Sequence, residues 1–530
     1  MKTDFVIAYD IGSTGNKTCL YRLDGGVTLL AEADSKYPLT VVENGGVEQN
    51  PEDWWRSMRE TTREVLRLAD LPPPSIRAIS FCSQMQGLVL VDRGGAVLRP
   101  AMSYMDKRAT AQYKRWRAGP VKVAGINIGK LLISMLETGV VAASAKDPVY
   151  RYAWVRENES ALFERIHKWL DVKDYLVFRA TGRYVSSEDS AFATMLYNTR
   201  RRRWSEPVCR LHGVRMEHLA EIVRCTDSVG ALTGEAAAEL GLSPECTVFS
   251  GGGDSTLIGL GAGNTRPGET HVYIGTSGWV STVVDKQRTD AASMIASVIG
   301  AIPGQYNYFA EMETSGKCIE WARDHLVVDE IGAYEADCDL DHLIEHMCSA
   351  AERVPPGSRG VVFMPWLLGN RCPFEDADCR GGFINISLTT KKEDLIRAVF
   401  EGILMHKRWM LDRQDTKVKT SPVIRVAGGG ARSPVICQML ADILNRQVEC
   451  PEKPQNSGAL GAAILMAGGL GHIASLKEAG GMARIAQRYE PDPAAAGVYD
   501  KNFAVFKRLY RKNRRNFRIM NRESGPGKRD

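Results

Sequence analysis

Three stretches of this 530-residue chain bring glycine together with hydroxyl, carboxylate or ammonium side chains closely enough to act as chemical units. The first is Asp10-Ile11-Gly12-Ser13-Thr14-Gly15-Asn16-Lys17. Its glycine N–H groups and the Ser13 and Thr14 hydroxyls can face a phosphate, Lys17 supplies positive charge and Asp10 can hold a cation. The second stretch runs from Gly251-Gly252-Gly253 into Asp254-Ser255-Thr256, and Gly275-Thr276-Ser277-Gly278 follows it. Asp254 there is a carboxylate able to take a proton, and the later tip repeats the hydroxyl-and-glycine composition of the first. The third stretch, Gly428-Gly429-Gly430-Ala431-Arg432-Ser433, would let an adenine or ribose approach the backbone closely. It matches neither G-x-G-x-x-G nor G-x-x-x-x-G-K-[ST], so neither a dinucleotide fingerprint nor a Walker A loop is supported. Each stretch also has a plain reading, as a hairpin turn, an N-cap aspartate or an ordinary strand-to-helix connection.

The flanking residues say how these units must be carried. Phe5 to Tyr9 is an apolar strand and Lys17 to Tyr21 resumes an alternating pattern, so the first unit is a hairpin with a polar tip. Thr247 to Ser250 reads as a strand that the glycines break, and Leu257 to Leu260 as a helix that Asp254 would cap. Thr270 to Ile274 and Trp279 to Val284 form a second hairpin, and Val423 to Ala427 is a strand leading into a helix with Pro434 in its first turn. Two such hairpins from opposite halves are what a nucleotide held between two related domains requires. The expected division is 1–250 and 251–505, with a basic tail at 506–530.

Composition excludes several other classes. Charged residues at 25% and hydrophobic ones at 44% describe a folded soluble protein, neither disordered nor membrane-embedded, and the short clusters into which the 50 glycines and 23 prolines fall point to a mixed α/β one. Within a formal charge of +5, residues 506–530 alone carry ten Lys and Arg against two acids, leaving the body slightly acidic. Basic charge confined to a terminal helix argues against a nucleic-acid partner. Phe503, Phe506, Tyr510 and Phe517 share one face of that helix, which should pack on the second domain. The 12 cysteines show neither C-x-x-C spacing nor histidine partners, so no zinc site or disulfide framework is indicated. The first residues lack a secretory pattern and no apolar run reaches the roughly 20 residues a bilayer requires, so we expect a cytoplasmic protein with no membrane partner.

In this order the three units resemble the FGGY family of carbohydrate kinases, within the actin/hexokinase-like ATPase superfamily. Asp10 to Lys17 looks like the family's first phosphate motif, Gly275 to Gly278 like its second, and Gly428 to Ser433, continuing through Gln438 to Asp442, like its adenosine motif. Arg151 to Glu159 and Gly381 to Glu401 are similar to its two signatures, departing only at Arg151, where lysine is usual, and Asn385, where glycine is usual. Neither departure is expected to touch the chemistry. Ser83-Gln84-Met85-Gln86-Gly87 resembles the sugar segment of the xylulokinase branch, with Gln86 in place of histidine. Tyr104 to Arg108 stands where W-N-D-x-R is common.

The resemblance implies two related actin-like (ribonuclease H-like) ATPase domains with a nucleotide cleft between them, ATP and Mg²⁺ as cofactors, and a small sugar or polyol as partner. It implies phosphoryl transfer to a terminal hydroxyl, most readily of D-xylulose, with ribulose, erythritol or glycerol as alternatives and a non-sugar actin-like ATPase as the more distant one. A second copy of the chain, as a homodimer, is the only macromolecular partner entertained. Carried over residue by residue, Asp254 is the base, Asp10 orients the metal shell, and Gln84, Met85, Gln86, Asp106 and Asp254 face the sugar. Ser13, Thr14, Lys17, Gly275 and Thr276 hold phosphates, and Gly316, Glu320, Gly429, Gly430 and Ser433 lie toward the nucleoside. Asp106 and Arg108 can equally pair with each other on a loop. A helix N-terminus would favour the ionised form of Asp254, and a kinase of this design should close around its sugar to exclude water.

Overall fold

In the computed structural model, which describes residues 3–123, 125–327 and 340–521, the apolar run at the start becomes β1 (Asp4–Ile11) and turns back antiparallel into β2 (Gly15–Leu23) and β3 (Val27–Lys36). Asn50 caps the helix α1 (Pro51–Ala69) by accepting the Glu52 N–H, Pro51 fills the first turn where no donor is needed, and left-handed Asp70 ends it. Next comes β4 (Ile76–Ser83), parallel to β1. Further on lie α2 (Val172–Thr181), α3 (Glu188–Ala193), β5 (Ser228–Ala231), β6 (Thr247–Phe249), the two-residue β7 (Gly252–Gly253) and α4 (Asp254–Gly261). The sheet order is β5-β6-β4-β1-β2-β3, with β7 also paired to β4.

The later half repeats this plan. The hairpin β8 (Thr270–Ile274) and β9 (Gly278–Val284) is followed by β10 (Tyr306–Met312), α5 (Gly316–Ala322) and the long α6 (Lys392–Asp415). After these, β11 (Val423–Ala427), α7 (Pro434–Leu444) and β12 (Gln447–Pro451) complete the set. The centre of this eight-stranded sheet runs β10-β9-β8-β11-β12. In both sheets the first strand pairs antiparallel with the second and parallel with the next strand after a helix, so the halves are copies of one α/β topology.

The chain then passes into α8 (Ser457–Gly469), which packs on α4 in the first sheet's unit. A Cβ on Gly261 would lie 1.8 Å from the Ser457 carbonyl, and one on Gly461 would lie 2.3 Å from that of Leu257. Only glycines let the two helices approach so closely. The described residues within 1–265, 298–306 and 456–482 therefore form one unit, and those within 266–297, 307–455 and 483–521 the other. The division falls after Thr265 and not at Gly251, because α4 buries all but its first residue in the first unit's core.

The last helix, α9 (Pro493–Asn521), lays Phe503, Phe506, Tyr510 and Phe517 inward on the second unit. Phe506, Tyr510 and Phe517 all meet Trp366, and Tyr510 stacks on Phe374 at 3.5 Å between ring centroids. The end of the basic tail, residues 522–530, lies outside the described residues. Among the described residues no helix is long and apolar enough to cross a membrane. Phe506→Ala should cost about 3–5 kcal/mol of stability in denaturant unfolding, the usual loss for a buried aromatic ring. Ile519→Ala, on a residue 70% exposed, should stay within about 0.5 kcal/mol.

Candidate active site

The parallel register of the first sheet gathers the chemistry at its carboxyl end, where open α/β sheets place their ligands. Asp10 on β1 lies opposite Cys82 on β4, and Cys82 opposite Gly252 on β7; one residue further, Ser83 faces Gly253, and Asp254 follows. The β1–β2 tip is closed by Gly12 N–H donating to Gly15 O at 2.9 Å, and the Tyr37 hydroxyl donates to the carbonyls of both Gly12 and Gly15. Ser13 and Thr14 stand at this tip, and Lys17 pairs with Asp10 across the hairpin. Loss of water contact lifts the Asp10 carboxyl above its ordinary value, with Lys17 and a Cys82 hydrogen bond pulling it back. The Cys82 thiol is pushed well up by burial and then by the charges of Asp10, Asp254 and Asp189 around it.

Asp254 does not cap its helix as expected. Gly253 is the N-cap, held extended at φ −73° and ψ 165° by its pairing with β4, and Asp254 is already the first helical residue. Its Oδ1 accepts the Ser255 N–H at 2.7 Å.

The segment Gln84 to Gly87 meets this point. Met85 covers Gly253 so closely that a Cβ there would lie 2.1 Å from the Met85 sulfur, and the Ser255 hydroxyl is 3.1 Å from the same atom. Gln84 donates to Gln49 and Gln49 to the Ser13 carbonyl, which ties the Gln84–Gly87 segment to the β1–β2 hairpin; the Gln84 Oε1 is buried without a partner. Gln86 has φ 63°, and its amide donates to the Ala193 carbonyl at 3.3 Å. Asp171 accepts the N–H groups of Gln86 and Gly87, and burial with Asp174 nearby pushes its carboxyl up to about 7.

Arg151, the first of the two departures from the family signatures, is fully buried and donates to the carbonyls of Met102, Ser103 and Gln86. Burial pulls its guanidinium down to about 10. It is a strut for the segment that carries Gln86. Asn385, the other departure, is at φ 69°, a conformation glycine and asparagine adopt with least strain. Asp106 is fully buried, paired with Arg108 and accepting the Val47 N–H at 2.9 Å. Its side chain thus holds the strand that carries Gln49.

The second unit assembles the other predicted group. At the tip between β8 and β9, Gly275 N–H donates to Ser277 O, and the N–H groups of Ser315, Gly316 and Lys317 donate to the carbonyls of Gly275 and Thr276. A Cβ on Gly316 would lie 2.7 Å from the Gly275 carbonyl, so this glycine is required by the hairpin itself. Glu320, one turn along α5, forms an ion pair with Lys317 at 2.7 Å. The parallel pairing of Tyr273 with Ala427 sets the Gly428 turn beside this tip. Gly428 has φ 94°, and a Cβ on Gly430 would strike Ile274, whereas one on Gly429 would meet nothing within 4 Å. Ser433 caps α7, its hydroxyl accepting the Ile436 N–H at 3.4 Å. Among the described residues no three His, Cys, Asp or Glu side chains gather into a metal-binding group.

Comparison with known proteins agrees with both halves. Residues 5–261 match the model of the N-terminal domain of the FGGY family of carbohydrate kinases, and residues 271–469 that of its C-terminal domain. The chain belongs to the FGGY family of carbohydrate kinases. It is 30% identical to the xylulose kinase of Bacillus subtilis and 28% identical to the gluconokinase of that organism, over 96% of each chain in both cases. The structure of ligand-bound xylulose kinase from Lactobacillus acidophilus superposes with a TM-score of 0.84 at 25% identity, covering 98% of this chain and all of the other. This FGGY kinase is accordingly an ATP-dependent phosphotransferase acting on a small carbohydrate, with the two-domain α/β fold of that family.

Sequence reasoning passed over two residues of this FGGY kinase site. Gly458, in the first turn of α8, approaches Asp10 so closely that a Cβ would lie 2.4 Å from Oδ2 and 2.8 Å from the Cys82 sulfur. Its only signal is the small-residue run Ser457-Gly458-Ala459. Asp189, which accepts the Gly253 N–H at 2.6 Å, has no sequence signal at all. Gly458→Ala should displace Asp10 and lower kcat at least tenfold in an ADP-release assay. Gly497→Ala, where a Cβ meets nothing within 4 Å, should leave turnover unchanged and raise stability by up to about 1 kcal/mol through helix propensity.

Proposed function

We propose that this kinase transfers the γ-phosphoryl group of ATP to a terminal hydroxyl of a small ketose or polyol, with D-xylulose the leading substrate. The observation that carries the reading is the register that brings Asp10, the Met85 side chain and Asp254 to one sheet end. In this reading Asp254 accepts the proton of the sugar hydroxyl as its oxygen forms a bond to the γ-phosphorus. The bond from that phosphorus to the β,γ-bridging oxygen breaks, and ADP leaves with the electron pair. Ser13, Thr14, Lys17, Gly275 and Thr276 hold the phosphates; Gly429, Gly430 and Ser433 receive the nucleoside, with Gly316 and Glu320 on the same side.

Asp10 offers one hard oxygen donor group, which suits Mg²⁺, a cation that keeps most of its waters and takes its other ligands from phosphate. When bound, Mg²⁺ would neutralise charge on the phosphate oxygens. Gln84 Oε1, buried and unsatisfied, is suited to a sugar hydroxyl, as are Gln86 and the backbone at Met85. Asp106 serves this surface by bracing the strand beneath it. All described cysteines are free thiols, in keeping with a cytoplasmic enzyme.

A second reading, phosphorylation of gluconate, is favoured by the comparable similarity to the Bacillus subtilis gluconokinase. A screen of pentuloses, hexuloses, polyols and gluconate separates the two. D-xylulose should lead, and Gln86→His should then change its turnover little; a lead for gluconate would select the second reading. Failure to phosphorylate any of them would overturn both. Asp254→Asn should lose about 10² to 10⁴ in turnover while binding ATP normally, and retention of more than half the activity would refute Asp254 as the base.

A further inference from the structure

Beneath Asp254 lies a buried polar cluster that the transfer step does not use. Lys173, Asp174, Ser187 and Asp189 are all at most 1% exposed. Lys173 Nζ donates to Asp174 Oδ1 at 2.6 Å and to the Ser187 hydroxyl at 2.6 Å, and Ser187 donates onward to Asp189. The Ser186 hydroxyl satisfies Asp174 Oδ2, and the Cys225 thiol lies 3.3 Å from Asp189 Oδ1. The other oxygen of Asp189 accepts one N–H, that of Gly253, at 2.6 Å.

That contact is in a position to matter. Gly253 is the residue before the proposed base, and its peptide is bounded on three sides: β4 pairs with it, Met85 covers its Cα, and Asp189 takes its N–H. Of these three, only Asp189 brings a charge, and a hydrogen bond to a carboxylate is short and strong for that reason. Burial alone would raise the Asp189 carboxyl, but Lys173, Ser187 and the Gly253 N–H outweigh it and hold it below its ordinary value. A buried ion cluster of this kind is rarely more stable than apolar residues of equal volume, so stability is a poor reason for building one here.

We infer that Asp189 is a positioning residue for phosphoryl transfer: through the Gly253 N–H it fixes the first turn of α4 and thereby the place of the Asp254 carboxylate. The inference rests on the reading of Asp254 as the base. Displacement of a catalytic group by about 1 Å can cost 10²-fold in rate, so loss of this acceptor should act on kcat and leave nucleotide binding alone.

The test is a double-mutant comparison. Asp189→Ala should lower kcat about tenfold to a hundredfold with KM for ATP within twofold of wild type, and Asp189→Asn, which keeps an acceptor for the Gly253 N–H, should restore kcat to within two- to fivefold of wild type. Placed in the Asp254→Asn background, Asp189→Ala should cause no further loss, because the group it positions is gone. A merely structural role would give the same fractional loss in both backgrounds, and that result, or a kcat within twofold of wild type, would overturn the inference. If Asp189→Ala does not fold, Asp189→Asn decides on the same comparison: a two- to fivefold loss of kcat confined to the protein retaining Asp254 supports the inference, and an equal loss in both backgrounds overturns it. Asp254→Asn with more than half of wild-type turnover would instead overturn the reading of the base, whatever Asp189 did.

Discussion

The parallel pairing of β1, β4 and β7 is the constraint on which the site of the first unit depends. It sets Asp10, Cys82 and Gly252 in one row and delivers Asp254 just beyond their carboxyl ends. The pairing demands glycine where the chain turns in to join it, since a Cβ on Gly251 would lie 2.1 Å from the Phe81 carbonyl. A shift of register by one residue would turn each side chain to the opposite face of the sheet, and Asp10 would leave the polar end. The hydrophobic faces of β1 and β4, buried on both sides, make such a shift costly, so the core's demand for burial also locates the chemistry.

Around that row, buried polar side chains bind backbone atoms as well as one another. Arg151, Asp171 and Asp189 bind peptide groups of the Gln84–Gly87 segment and of the turn into α4. Loops near a reacting centre cannot use sheet pairing to fix themselves, and buried charged side chains supply strong, directional substitutes. In the second unit much of the same task falls to backbone: the start of α5 donates three N–H groups to the hairpin and Gly428 and Gly430 close against Ile274, while the Ser433 hydroxyl caps α7.

Glycine serves the site in a further way. Gly261 and Gly461 bring α4 and α8 into backbone contact, and Gly458 brings α8 against Asp10. Dense packing transmits small displacements, so α8, about two hundred residues beyond α4 in sequence, becomes part of the site's rigidity although it places no functional side chain in it.

The sequence by itself determined the three glycine-rich units, the hairpins that present two of them, the repeated α/β plan and the aromatic face of the last helix. These follow from local patterning, in which strand alternation, helix periodicity and turn residues are written over a few consecutive positions. Only the tertiary structure decided that Gly253 and not Asp254 caps α4, that the first unit continues to Thr265 and takes in α8, and that Asp106 pairs with Arg108. It alone revealed Arg151, Asp189 and Gly458 as supports of the site. Apart from the Asp106–Arg108 pair, each of these depends on partners tens to hundreds of residues away, such as Asp189 with Gly253 or Asp10 with Gly458. Such contacts are set by how sheets and helices pack, and a lone buried carboxylate or helix glycine looks the same in sequence whether or not that partner is there.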